Sequence, residues 1–132
     1  MKATELIMEG YIAFELDKKS RSKLMSIFPP KYPDVIAHHI TYKFGVSSKD
    51  KIPSNPESNA VIGYIDDGDG LEALVVEING KTTRPDGKIY HITWSLDREK
   101  GKKPVHSNNL LMSKEYEPID PINIDLKSNF FK

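Results

Sequence analysis

Polar and apolar residues alternate along GYIAFELD, residues 10–17: Ile12, Phe14 and Leu16 share one face, and Tyr11, Ala13 and Glu15 the other. A period of two predicts a strand with one strongly apolar face. The period then lengthens. In KKSRSKLMSIF, residues 18–28, Leu24, Ile27 and Phe28 fall at i, i+3 and i+4, the spacing of a short amphipathic helix. Asp17 is placed to cap that helix and Pro29-Pro30 to end it. DVIAHHITYKFG (34–45) predicts a second strand, and VSSKDKIPSNPESN (46–59), rich in Ser, Pro and Asn, a loop. AVIGYID and EALVVEI flank DGDGL as a hairpin. IYHITWSLD (89–97) is another strand, REKGKKPVHSNNLLMSKEY a polar, basic connection, and PINIDLKS a last strand. The sum is an α+β domain over residues 1–132, mostly antiparallel strands with one or two short helices.

Composition narrows the partners. Lys+Arg and Asp+Glu balance at 19 each among 132 residues, so no global field draws duplex DNA or an anionic membrane. A small phosphate-bearing ligand fits this balance better than a long duplex. Without cysteine, disulfides, thiolate catalysis and Cys-bound zinc are excluded. The amino-terminal run MKATELIMEG is too short for a signal peptide, and no segment is apolar enough to span a bilayer. A soluble, cytoplasmic protein is expected.

Two strands carry the same unusual triplet. Residues two apart on a strand share a face, so His39, Thr41 and Lys43 of the first lie opposite Ile40, Tyr42 and Phe44. In the second, His91, Thr93, Ser95 and Asp97 lie opposite Ile92, Trp94 and Leu96. A lone strand histidine is more often a hydrogen-bonded structural residue than a catalyst. Two His-Ile-Thr copies with matching asymmetry are improbable by chance and can line one cleft from both sides. Zinc competes poorly: His38 is expected on the apolar side, His106 is the one further ligand, and the threonines would be unexplained. Phosphodiester cleavage uses every part. One imidazole takes a proton from the attacking oxygen, the other gives one to the departing oxygen, and hydroxyls on the same face donate to the phosphate oxygens. Lys43 adds positive charge. Neither metal nor organic cofactor is needed.

The paired motifs, HHIT at 38–41 and HIT at 91–93, together with ELDKKSRSKLMSIFPPKYPDVIAHHITYKFG, YHITWSL and GKKPVHSNNLL, resemble the 2H phosphoesterase superfamily. The likeness runs from about residue 10 to residue 111. It is to the small-domain branch associated with RNA repair, which also includes viral enzymes that destroy cyclic-nucleotide immune signals. The resemblance implies a two-lobed sheet around a central cleft and metal-independent phosphodiester cleavage by His39 with Thr41 and His91 with Thr93. Which histidine is base and which acid stays open. The implied substrates are cyclic di- or oligonucleotide messengers; RNA ends are the alternative, through 2′,3′-cyclic phosphates or 2′,5′-linkages. A module that sequesters nucleotides without cutting them is the rival from another class.

Further positions are candidates for substrate contact. In PVHSNN (104–109), His106 and Ser107 either close over a ligand or form a plain turn. Tyr11 is on the polar face of its strand and can stack on a base, with Phe130 or Phe131 clamping from the other side. Lys18, Lys19, Arg21 and Lys23 form either a solvated helix face or a phosphate-attracting patch. DDGDG (66–70) is a turn, since Leu71 stands where a calcium loop needs a third acidic residue.

Overall fold

The computed structural model describes residues 10–46 and 51–131. Residues 1–9, most of the amino-terminal run tested for a leader, and residues 47–50 of the expected loop lie outside the described residues. The elements are strand β1 (Gly10–Leu16), helix α1 (Lys18–Ile27), strands β2 (Asp34–Val35), β3 (His39–Val46), β4 (Asn59–Asp66), β5 (Leu71–Ile78) and β6 (His91–Leu96), helix α2 (His106–Ser113), and strands β7 (Glu117–Asn123) and β8 (Leu126–Phe131).

All eight strands join one antiparallel sheet in the order β7-β4-β5-β6-β3-β1-β8, with β2 also on β6. The sheet curls into a half-barrel. Its two halves are well laddered internally, β4–β5 and β1–β8 in particular, but among the described residues β3 meets β6 at a single pair, Ile40 with Ile92. The architecture is thus the expected α+β sheet, two lobes splayed about a seam that opens as a cleft.

The expected strand at 34–45 is broken, and the break matters. Residues 34–37 run along β6: Asp34 pairs with Leu96, Val35 with Ser95, and the Ile36 and Ala37 amides donate to the Trp94 and Thr93 carbonyls. Ala37 then takes φ +41°, a left-handed value costly for a residue with a Cβ. The next β6 pair, Ile40 with Ile92, is one step along β6 but three along this chain. His38 and His39 are therefore left without a ladder partner on β6. The Arg21 Nε donates to the Ala37 carbonyl at 2.9 Å and pins the kink from α1.

Helix α1 begins as expected: Asp17 Oδ1 accepts from the Ser20 amide at 2.8 Å. Its buried face differs. Ser20 and Leu24, spaced i, i+4, point inward, while Ile27 is exposed. Phe28 supplies a carbonyl to the Trp94 indole instead of a fully buried ring. Leu24 joins Phe14, Ile40, Leu74, Val76, Ile92 and Trp94 in the main core under α1. A smaller core of Ile65, Ala73, Val75 and Leu111 lies under α2.

The carboxyl-terminal third departs most from expectation. The basic connection contains α2, and the single last strand is two, β7 on β4 and β8 on β1, each closing one lobe. Neither strand alternates strongly: β7 is almost wholly exposed, and in β8 only Leu126 is buried. Edge strands need little apolar patterning because one side of each faces solvent.

Candidate active site

His39, Thr41, His91 and Thr93 line one cavity of about 310 Å³. The seam explains the convergence. In antiparallel register about Ile40 and Ile92, His39 falls on the side of Thr93, and Thr41 on the side of His91. The motifs thus run head to tail about this pair, and all four side chains line the same cavity. Both isoleucines point into the core with no exposed surface, so the polar residues between them are turned to the opposite face, where the cleft lies.

The cavity holds each imidazole differently. The Nδ1 of His91 is 2.8 Å from the Ile89 carbonyl. A carbonyl only accepts, so Nδ1 carries the proton, and Nε2 of the neutral ring presents a lone pair. His39 Nδ1 meets His38 Nδ1 at 3.1 Å. Burial lowers both catalytic candidates to about 4: for His39, desolvation is joined by the nearby charges of His38 and His91, and for His91 desolvation dominates. Both rings are therefore neutral at pH 7. An anionic ligand between them would reverse the effect and favour the imidazolium.

The threonines are not equivalent either. Thr93 Oγ1 donates a long bond, 3.3 Å, to the Pro104 carbonyl and lies 2.9 Å from Ser107 Oγ. Ser107 is completely buried behind Thr93. It is bonded to that hydroxyl and, having no exposed surface, does not touch a ligand as expected. His106 starts α2 and accepts the Lys103 amide at Nδ1, 3.0 Å away. It caps a turn and does not line the cavity.

Lys43 is likewise absent from the cavity, for a reason alternation alone could not reveal. On the β1 side, Ala13 pairs with Thr41 and Ile12 with Lys43, so Tyr42 is an extra residue. A bulge of one residue flips the facing of every residue beyond it. Lys43 turns out to solvent, and Phe44 replaces it on the cavity side, opposite Tyr11. Tyr11 does line the cavity, 5.5 Å from the Phe44 ring and 5.6 Å from His39. Phe131 stacks on Tyr11 at 5.3 Å and on His39 at 5.8 Å. It backs the aromatic plate and does not face it across a gap.

Besides Phe44, the lining includes five residues that were not candidates: Ile36, Arg84, Pro104, Val105 and Asn108. Arg84, only 3% exposed, forms a forked pair with Asp86 through Nε at 3.1 Å and Nη2 at 2.5 Å, and its guanidinium lies 5.6 Å from the Phe44 ring centre. The pair holds the Asp86 carboxyl at about 2. In RPDGK the arginine reads as an ordinary turn residue; only the Arg-x-Asp spacing hints at the fork. Among the described residues the Asn108 Oδ1 is buried without a hydrogen-bond partner, and Pro104 and Val105 line the cavity just before α2. Arg84 also borders a hollow of about 430 Å³ on the other side, and a third of about 570 Å³ lies beside Tyr116. Neither is lined by a histidine.

The basic helix residues serve structure: Arg21 holds Ala37, and Lys23 Nζ donates to the Asn123 carbonyl at 2.5 Å. The Asp67 turn is closed by the Asp69 and Leu71 amides and by Lys102, 2.9 Å away. Among the described residues no three His, Asp or Glu side chains gather as a metal-binding group, and no helix is long and apolar enough to cross a membrane. No protein-family model matches the chain, and no curated protein or solved structure matches it at a significant level.

Proposed function

We propose that the chain is a metal-independent phosphodiesterase of the 2H phosphoesterase type, cleaving small nucleotide phosphodiesters, with cyclic di- or oligonucleotide messengers as the substrate class. The observation that carries this reading is the head-to-tail convergence of His39–Thr41 and His91–Thr93 on one cavity. A phosphorus seated there has an imidazole Nε2 on either side and hydroxyls beside its non-bridging oxygens. One imidazole takes the proton of the attacking water or ribose hydroxyl; the other, protonated in the presence of the phosphate anion, gives one to the departing oxygen. Arg84 offsets the charge that builds on phosphate, and Tyr11 with Phe44 offers a stacking plate for a base. At about 310 Å³ the cavity is at the small end for ligand clefts, which suits one phosphate and one nucleoside with the rest of the messenger outside.

The test is incubation, with EDTA present, of the protein with cyclic dinucleotides, cyclic oligonucleotides and RNA bearing 2′,3′-cyclic ends, products being separated by chromatography. Turnover of the cyclic messengers is expected, with His39→Ala and His91→Ala each lowering kcat by about 10²-fold or more. Turnover of RNA ends alone replaces the substrate class. Binding without products makes the chain a sequestering module. A near-normal rate in either variant removes that histidine from the chemistry.

A further inference from the structure

His38 and His39 are chain neighbours whose rings meet Nδ1 to Nδ1 at 3.1 Å. Two ring nitrogens at that distance share one proton, one donating and the other accepting. A regular strand sends adjacent side chains to opposite faces. The contact exists because these two residues fall between the Ala37 and Ile40 attachments to β6, after the left-handed kink. Outward of this pair, His38 Nε2 is 3.9 Å from Glu15 Oε2, and Asn129 Nδ2 holds the other carboxylate oxygen at 2.8 Å. Inward, His39 lines the cavity.

We propose that His38, backed by Glu15, is the proton terminus of His39, and that this relay makes His39 the general base. The assignment rests on the phosphodiesterase reading above. In the resting protein His39 carries its proton on Nδ1 and donates it to His38 Nδ1, while His38 carries its own on Nε2, toward Glu15. The lone pair of His39 Nε2 then faces the cavity. When the attacking hydroxyl yields its proton to that Nε2, its O–H electron pair forms the new bond to phosphorus. In the same passage the Nδ1–H of His39 transfers to His38 Nδ1. His39 ends neutral, protonated on Nε2, and His38 ends as the imidazolium beside the Glu15 carboxylate.

The positive charge has thus moved from a desolvated ring to one whose side chain is 53% exposed. This removes a difficulty, because burial makes an isolated His39 a weak base near neutral pH. His91 has no such outlet, since the Ile89 carbonyl holding its Nδ1–H cannot accept a proton. Its imidazolium keeps that bond, which suits it to protonate the departing oxygen. The groups facing the pair are Glu15 and Tyr11 from β1, His91 from β6 and Arg84 from the preceding loop, with the uncharged Phe131 ring from β8 against both imidazoles.

The test combines nitrogen-15 NMR of the imidazoles with kinetics of the whole chain. His38→Asn places an amide oxygen where Nδ1 was: it can hold the His39 Nδ1–H but cannot take the proton. In the wild type the neutral His39 ring is expected as the Nδ1–H tautomer, and the first proton added on acidification is expected on His38. In His38→Asn the tautomer stays, KM holds, kcat falls about tenfold or more, and the acid limb of the pH–rate profile moves to lower pH. Glu15→Gln moves kcat in the same direction by less. A neutral His39 with its proton on Nε2, a first proton on His39, or wild-type kcat and pH profile in His38→Asn overturns the relay. Absence of turnover by the wild type overturns the enzymatic reading instead, while the NMR titration still decides whether the two rings share a proton.

Discussion

Ile40 and Ile92 face each other across the seam of the sheet as the one described β3–β6 pair, both without exposed surface. This buried contact sets where the two polar motifs meet. Each isoleucine is the middle residue of a His-Ile-Thr triplet, so packing them against the core turns four polar side chains into one cleft. The apolar residue is what positions the proposed chemistry.

Ile92→Ala is therefore expected to do two things. Loss of a fully buried isoleucine costs about 2–5 kcal/mol by the transfer and cavity terms, measured as a lower urea midpoint. The remaining folded protein should also show a fall in kcat larger than that of Val61→Ala, an equally buried residue on β4, two strands from β6. Equal kcat in the two variants counts against the seam as the positioning device.

Stability should fall as pH drops from about 6.5 to about 4. His39 and His91 titrate near 4 in the folded chain and near 6.5 when unfolded. Between those values the unfolded state binds more protons, so the slope of unfolding free energy with pH is positive and the loss runs toward acid. Above pH 6.5 this contribution is flat. Chemical denaturation at several pH values reads it out, and His91→Gln should flatten the decline. An anionic ligand such as inorganic phosphate should bind more tightly across the same window, because it stabilises the imidazolium.

Arg84 tests the proposed anion site. Arg84→Lys keeps the charge but cannot reproduce the fork to Asp86 or the flat contact with Phe44. KM for a phosphodiester should rise about tenfold or more, and Arg84→Met should do the same or worse. Asp86→Asn should have the smaller effect, since Asp86 only braces the guanidinium and its side chain is partly exposed. Steady-state kinetics separate the three.

Glu72 has a structural role on the side of the sheet away from the histidines, to which a bulge at Trp94 turns Ser95, expected on the His91 face. It is 1% exposed and accepts from the Tyr64 hydroxyl at 2.6 Å, the Lys31 amide at 2.8 Å and the Ser95 hydroxyl. Ser95 in turn receives the Tyr32 amide, so this carboxylate fastens the segment after α1 to β5 and β6. Burial and the Glu72 bond together raise the Tyr64 phenol strongly. Glu72→Ala leaves these neutral donors unpaired and is expected to cost about 1–3 kcal/mol, read from the denaturant midpoint, with kcat unchanged in the folded fraction. A shift under about 1 kcal/mol argues that the network contributes little.

Much of this was legible along the chain because local patterning reports which face of a strand is buried. GYIAFELD and IYHITWSLD announced their strands, Asp17 announced a helix start, and the repeated triplet singled out His39, Thr41, His91 and Thr93. What the sequence by itself determined is the pairing of His39 with Thr41 and of His91 with Thr93 on one face of each strand.

Only the tertiary structure decided which faces meet and where alternation fails. The bulge at Tyr42 exchanged Lys43 for Phe44, and the kink at Ala37 brought His38 onto His39 when alternation placed it on the apolar side. Arg84 arrives from a turn that bore no mark of the site, and Asn108 from the PVHSNN segment, whose candidates were His106 and Ser107. Period two is a property of one strand, whereas bulges and seams arise from how two strands with different residue counts share a ladder. That pairing is nonlocal, and no window along the chain contains it.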